Sequence, residues 1–245
     1  MTKLGFVEFD FRAQAPSPKT LAAMRKAMPE GFVFSVVAPS TVFGDPSWPL
    51  KDPVKVQSEF DRFANLADAL GARVMVFRTP MAISPGSVAL KRFEALVARA
   101  RRVADVVVWE PAGLWQYDEA RAWADARGLV VACDPLHDEV AGEVVYAKMR
   151  GLGADTVYTM ARLEDLATKL EAVGTAYVVF HSANAWREAV GFRKLADEVF
   201  AASAAAGDEG DDEGDDEGDD DDFEDGEDGE EDDDFDDDDS DEDEA

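Results

Sequence analysis

Seven short apolar runs, rich in β-branched residues, alternate along the chain with amphipathic stretches of helical spacing, and this alternation restricts the fold more than any other feature. The runs are Leu4–Phe9, Phe32–Ala38, Arg73–Thr79, Val106–Glu110, Leu129–Cys133, Val144–Met149 and Ala176–His181. Most are continuously apolar, which is the pattern of parallel strands covered on both faces rather than of half-solvated antiparallel ones. Helical stretches are expected at Ser17–Met28, Pro53–Leu70, Ser84–Val103, Gln116–Arg127, Leu163–Val173 and Ala185–Ala204. Within the second, Phe60, Phe63, Ala64, Ala67 and Leu70 fall three and four apart, so one helical face is apolar and must cover a sheet. Gly71, Gly128 and Gly174 follow helical stretches at positions where a left-handed C-terminal cap costs glycine least. Ser17-Pro18 and Ser84-Pro85 place a capping hydroxyl before a first-turn proline.

The connections are asymmetric. Those from helix to strand take a few residues, whereas those from strand to helix are longer, and the longest, PSTVFGDPSWPLKD from Pro39 to Asp52, carries a tryptophan and three prolines. In alternating strand and helix folds this marks the carboxyl edge of the strands as the functional face. The pattern by itself leaves two architectures open, a barrel and a doubly wound open sheet. The first strand is followed by FVEFDFRAQAP rather than a glycine-rich phosphate loop, which removes the main support for a dinucleotide-binding sheet.

Composition divides the chain in two. The last 39 residues, Gly207 to Ala245, hold 29 Asp and Glu and no Lys or Arg; the remainder has 25 acidic against 24 basic residues, although the whole chain carries −30. One globular domain is expected over residues 1–206 and a disordered acidic tail over 207–245, because a segment whose only large apolar side chains are Phe223 and Phe235 cannot bury enough surface to offset its ordering entropy. A polyanion suits a basic protein as partner and disfavours direct nucleic-acid binding, which needs Lys and Arg for phosphate contacts. With no apolar segment of about 18 to 20 residues for a membrane span and no secretory apolar core near MTKLGFVEFDF, no membrane association is expected and the simplest location is the cytoplasm. The lone Cys133, inside an apolar run, reads as core packing.

Several segments in order, FVEFDF, GFVFSVVAPS, VMVFRTP, VVVWEPAGLW, VVACDP, VVYAKMRGLG and YVVFHSANAWREAVGF, resemble the YecE-like family, the domain of unknown function 72. The resemblance runs from Phe6 to about Leu195. It implies an α/β, TIM-barrel-like (β/α) fold of seven recognisable parallel strands. The family's first strand, with its Gly-Ser-Gly-Trp-like stretch, has no counterpart here, so either translation starts late or the barrel is incomplete and leaves a gap. Three departures bear on activity. An Arg usual in or beside the segment matched by Glu110-Pro111-Ala112-Gly113 is replaced by Ala112. An Arg-Leu-His-Gly-like strand end becomes Lys148-Met149-Arg150-Gly151. An asparagine pair closing the last strand becomes His181-Ser182, with Asn184 two residues on.

Independently of family, titratable groups stand at the carboxyl ends of the expected strands: Glu8, Asp10, Glu110, Asp134 with His137 and Asp138, Arg150 and His181. In a barrel these ends converge on one mouth. A carboxylate beside another carboxylate holds its proton, whereas one facing Arg150 stays ionised, a division that acid and base roles require. Glu110, Asp134 and His181 are therefore the expected catalytic groups. Glu8, Asp10, Trp48, Arg150 and Asn184 are the expected ligand contacts, with Trp48 the ligand-facing tryptophan and the others mostly core. No cofactor is expected; an oxygen-rich set with one imidazole (Glu8, Glu110, Asp134, His181) would suit magnesium if a metal were bound. No GxSxG elbow or HExxH helix is present. The resulting expectation is an uncharacterised family member with a mouth for a small polar ligand that it hydrolyses or isomerises. The competing expectation is a catalytically degraded barrel whose polyanionic tail docks a basic partner.

Overall fold

The computed structural model describes residues 3–11, 15–150 and 157–208. The described residues up to Ala206 belong to one compact unit; the acidic tail expected over 207–245 lies, beyond Asp208, outside the described residues. Within that unit, seven strands, β1 (Phe6–Asp10), β2 (Val33–Val37), β3 (Val74–Arg78), β4 (Val106–Glu110), β5 (Val130–Cys133), β6 (Val144–Met149) and β7 (Thr175–Phe180), pair in sequence order and all in parallel. Between them run α1 (Pro18–Ala27), α2 (Pro53–Leu70), α3 (Val88–Ala100), α4 (Tyr117–Asp125) and α5 (Met160–Leu170), with α6 (Ala185–Asp208) after β7 and one 3-10 turn, Ser40–Val42, inside the long β2–α2 loop. All seven expected strands form, and the sheet curls into a nearly closed α/β barrel of TIM type.

Strand parity decides what lines the lumen. Because side chains alternate across a strand, every second residue of each strand faces the lumen. The registers Glu8↔Ser35, Val76↔Val108, Arg78↔Glu110 and Tyr146↔Tyr177 keep the same parity around the sheet. The lumen is accordingly filled by Val37, Val74, Val76, Val108 and Tyr146, with Phe6, Val33, Val130 and Tyr177 packed against them. The other parity faces the helices. Phe34, Met75, Phe77, Val107 and Trp109 pack beneath α1 to α4, and Val145, Ala147, Met149 and Phe180 pack beneath α5 and α6. Burial on both faces is why these strands read as continuous apolar runs.

Among the described residues no backbone ladder joins β7 to β1. The seam is bridged by side chains instead, with Phe6 packed against Tyr177 at 5.0 Å, the rings tilted by 47°, and meeting Tyr146 edge-on at 6.1 Å between ring centroids.

Local signals act mostly as their chemistry requires. Ser17 caps α1 through Thr20 N–H, Asp52 caps α2 through Val54 and Lys55 N–H, and Gly71 closes α2 at φ 63°. Two signals act differently. The cap of α3 is Ser87, bonded to Leu90 N–H, because Ser84-Pro85-Gly86 is spent on a turn in which Gly86 has φ 72°. Gly174 is not left-handed; it is a close-approach glycine, since a Cβ there would lie 3.2 Å from the carbonyl oxygen and Cγ of Glu143.

The outer core centres on Phe93, fully buried, whose ring contacts Phe43, Phe77, Trp109 and Trp123. Phe93→Ala leaves a cavity that four rings from different elements cannot all collapse into. A loss of about 3–5 kcal/mol in unfolding free energy is expected by urea titration; a loss under about 1 kcal/mol would mean that this aromatic cluster does not organise the core.

Candidate functional site

The carboxyl end of the lumen is charged. Glu8 on β1, Arg78 on β3, Glu110 on β4 and Lys148 on β6 all have lumen parity, and three of them are nearly inaccessible: the side chains of Lys148, Glu8 and Glu110 are 3%, 6% and 6% exposed. Such burial is tolerable only with partners. Lys148 Nζ is in direct contact with Glu8 Oε2 and lies 3.5 Å from Glu110 Oε2. Glu8 Oε2 also accepts the Tyr146 hydroxyl at 2.6 Å, and the Tyr146 oxygen lies 2.8 Å from Ser35 Oγ, a hydrogen bond that crosses the lumen from β6 to β2. Glu110 Oε1 accepts Arg78 Nε at 2.7 Å and contacts Arg150 Nη2, while Arg78 Nη1 lies 3.8 Å from Asp10. His181, a third exposed, places Nε2 3.9 Å from Glu8 Oε1.

Three carboxylates and three cations thus balance in one network. Burial lowers the Lys148 pKa below that of a free lysine, against the opposing pull of Glu8. Burial, then the Lys148 charge, lowers His181 below the ordinary imidazole value, so its neutral form is favoured at neutral pH. Burial, then the Glu8 charge, pushes the Tyr146 phenol well up, keeping it a hydrogen-bond donor. Burial likewise pushes the Cys133 thiol up to about 11, as suits a core thiol.

One atom stands out. Glu110 Oε2 is buried and, among the described residues, accepts no hydrogen bond. It lies 3.5 Å from Lys148 Nζ, in ion-pair range without a hydrogen bond, and a donor that enters the mouth would complete it.

Of the residues expected from sequence, the structure brings together Glu8, Asp10, Glu110, Arg150 and His181. Asp134 is different: Oδ1 accepts Leu136 N–H at 3.1 Å, its N–H donates to Asp138 Oδ2 at 2.7 Å, and Oδ2 lies 3.4 Å from His137 Nδ1, so its bonds among the described residues stay inside one turn. Asn184 is exposed, its backbone N–H donating to Ser182 Oγ at 3.1 Å in the turn that starts α6. Trp48 is 66% exposed in a separate groove of the β2–α2 loop, with Lys51 5.6 Å over its ring, and none of the mouth residues lines that groove. Trp109 is fully buried and Trp115 and Trp123 are packed against it, whereas Trp186 is 64% exposed. Sequence reasoning passed over Arg78, Lys148, Tyr146 and Ser35, which sit inside apolar runs. Counting parity along VVYAKMR, where Tyr146, Lys148 and Arg150 alternate with Val145, Ala147 and Met149, would have exposed the charged face.

Among the described residues no group of three or more His, Cys, Asp or Glu side chains is placed to hold a metal ion, and none of their helices is long and apolar enough to cross a membrane. The oxygens of Glu8 and Glu110 that a metal would need are turned mainly to Lys148, Arg78 and Arg150.

The fold and the charged mouth define a parallel α/β barrel protein with a strand-end polar site. The family model for "Protein of unknown function DUF72" matches residues 10–209, and the chain belongs to that family. Solved structures of similar fold include two of a DUF72 family protein from Enterococcus faecalis V583. These are 14% and 13% identical, cover 79% of this chain and 90% and 85% of theirs, and give TM-scores of 0.60 and 0.58. A third, a DUF72 family protein from Thermotoga maritima MSB8, is 16% identical, covers 79% of this chain and 85% of its own, with a TM-score of 0.55. No curated protein matches the chain.

Two outcomes test the network. Glu8→Gln removes the carboxylate charge opposite buried Lys148 and should cost about 3–5 kcal/mol of stability, while Glu8→Gln with Lys148→Met should recover most of that loss; additive losses would show that the pair is not coupled. For His181 the folded pKa lies below the unfolded value of 6.5. As pH falls below 6.5 the unfolded chain takes up the proton first, so stability falls until pH drops past the folded value and then levels. His181→Gln should flatten this part of the melting-temperature profile, and an unchanged profile would show that His181 is not held neutral.

Proposed function

We propose that the barrel mouth binds a small polar ligand and exchanges protons with it, in a hydrolysis or an isomerisation. The observation that carries this reading is Glu110: a buried carboxylate with one oxygen fixed by Arg78 and Arg150 and the other without a hydrogen bond among the described residues. A donor on a ligand would complete it. Arg150, half exposed, can meanwhile turn from Glu110 to an anionic group on the same ligand.

The division of labour follows from protonation. His181, held neutral, is able to accept a proton, and Glu8 beside it favours the cation once formed. Glu110, bonded to two guanidinium groups, suits the binding of a donor or the stabilising of developing positive charge. Tyr146 and Lys148 act on the ligand through Glu8, as positioning residues. Asp134, bonded within its own turn, and Asn184, at the start of α6, shape the rim. No metal is needed for any of these roles.

A second reading is favoured by the 29 acidic residues among the last 39. In it the barrel is a degraded enzyme and the polyanion docks a basic protein.

The test uses the full-length chain against a library of polar metabolites by thermal shift. A ligand that raises the melting temperature, and loses that effect in Glu110→Gln, supports the mouth. The absence of any such ligand, together with capture of basic proteins that vanishes when residues 207–245 are deleted, would replace it by the interaction module.

A further inference from the structure

Beside the mouth, where β1 and β7 lack a ladder, a cleft of about 390 Å³ opens between β1 and the start of α6. Its walls carry Glu8, Asp10 and His181, with Val7, Phe180 and Trp186 as apolar surface. The volume lies at the lower end of small-molecule sites, about 300–1,000 Å³, and the lining, apolar with a few convergent polar groups, is the composition that such sites share.

Trp186 is the unexplained part. It stands in the first turn of α6, 64% exposed. Trp109, Trp115 and Trp123 occupy the core and Trp48 has a lysine over its ring, but among the described residues neither a ring nor a cation stacks on Trp186. An indole left in water at the lip of a polar cleft costs apolar hydration, which a flat, weakly polar ligand face would recover.

We infer that this cleft binds the ring of a sugar bearing an anionic group, with the C–H face of the ring on Trp186. The inference rests on the reading of the mouth as a ligand site and names the ligand's class. Glu8 and Asp10, two residues apart on one face of β1, and His181 across the seam offer acceptors spread along the cleft. That arrangement suits the successive hydroxyl donors of a sugar, whereas a nucleobase presents one mixed donor and acceptor edge that amide side chains match better. The anionic group falls to Arg150. His181 N–H donates to Met149 O at 2.9 Å, so Arg150 leaves β6 beside the point where His181 leaves β7, with its guanidinium half exposed. Carboxylate and phosphate are equally suited to that guanidinium.

Saturation-transfer NMR on the full-length protein tests this with glucuronate, glucose 6-phosphate and glucose as probes. The two charged sugars should receive saturation at their ring C–H protons, with glucose binding more weakly; the stronger of the two charged probes tells a sugar acid from a sugar phosphate. Trp186→Ala, at an exposed position that leaves the melting temperature unchanged, should weaken the charged sugars about tenfold, the size of one aromatic stacking contact. Trp48→Ala should leave them unchanged, and Arg150→Gln should reduce them to the level of glucose. Equal binding in Trp186→Ala and the parent would overturn the inference. If no sugar binds while another metabolite gives a Glu110-dependent thermal shift, the sugar class falls and the mouth stands; if no metabolite of any class binds, both fall.

Discussion

The contact between Lys148 and Glu8 inside the barrel is the constraint from which the rest of the mouth follows. An ammonium at 3% exposure is tolerable only beside a carboxylate, and a carboxylate at 6% exposure only beside a cation. Neither strand can move relative to the other without separating the two. The pair lies across β7, from β6 to β1, and so ties together the strands at the unladdered seam. The Tyr146 hydroxyl, bonded to Glu8 and to Ser35 on β2, extends the tie across the lumen. A seam without a backbone ladder among the described residues is closed here by an ion pair, an aromatic contact and a shared hydroxyl.

The charge of Glu110 is met from outside its own segment. Ala112 offers Glu110 no guanidinium from its own segment, yet Glu110 has two, from the neighbouring strand through Arg78 and from β6 through Arg150. Arg78 is the direct register partner of Glu110, so parallel pairing alone puts its side chain on the same lumen face. Charge compensation at this buried carboxylate comes from the ends of neighbouring strands. What a buried charge at a barrel mouth requires is neutrality within a few ångströms, and several strand ends can provide it.

Every strand could be read from the sequence, because parallel strands buried on both faces leave uninterrupted apolar runs between helical periods. Reading the site was harder for the same reason. A run such as VVYAKM registers as apolar, and the one lysine in it is discounted as an interruption instead of being counted as the lumen-facing residue that it is. Glu110 and Asp134 carried the same signal, a carboxylate ending an apolar run before a proline. They part company because Glu110 meets Arg78 by strand register, whereas the turn after Asp134 folds the backbone amide of Leu136 and the ring of His137 onto its carboxylate. Such a local turn competes with the lumen for a carboxylate, and residue type and position do not reveal which wins. The Ser84 and Ser87 caps show the same competition, decided by the turn that Gly86 permits.

Balance also sets what the mouth can accept. With three carboxylates and three cations already paired, a neutral ligand finds few free donors, and an added cation would have to displace Lys148 or an arginine from a buried carboxylate. An added anion meets a different situation. Arg150, the most exposed of the three cations, can leave Glu110 while Arg78 stays bonded to it at 2.7 Å and Lys148 stays 3.5 Å away. The exchange replaces one charge-assisted bond by another in a partly dry site, so its cost is small compared with uncovering a buried carboxylate. It also lets a ligand donor reach Glu110 from the side that Arg150 vacates. The geometry therefore selects for molecules carrying an anionic group and a hydrogen-bond donor together, because only that combination restores on binding every contact that it removes.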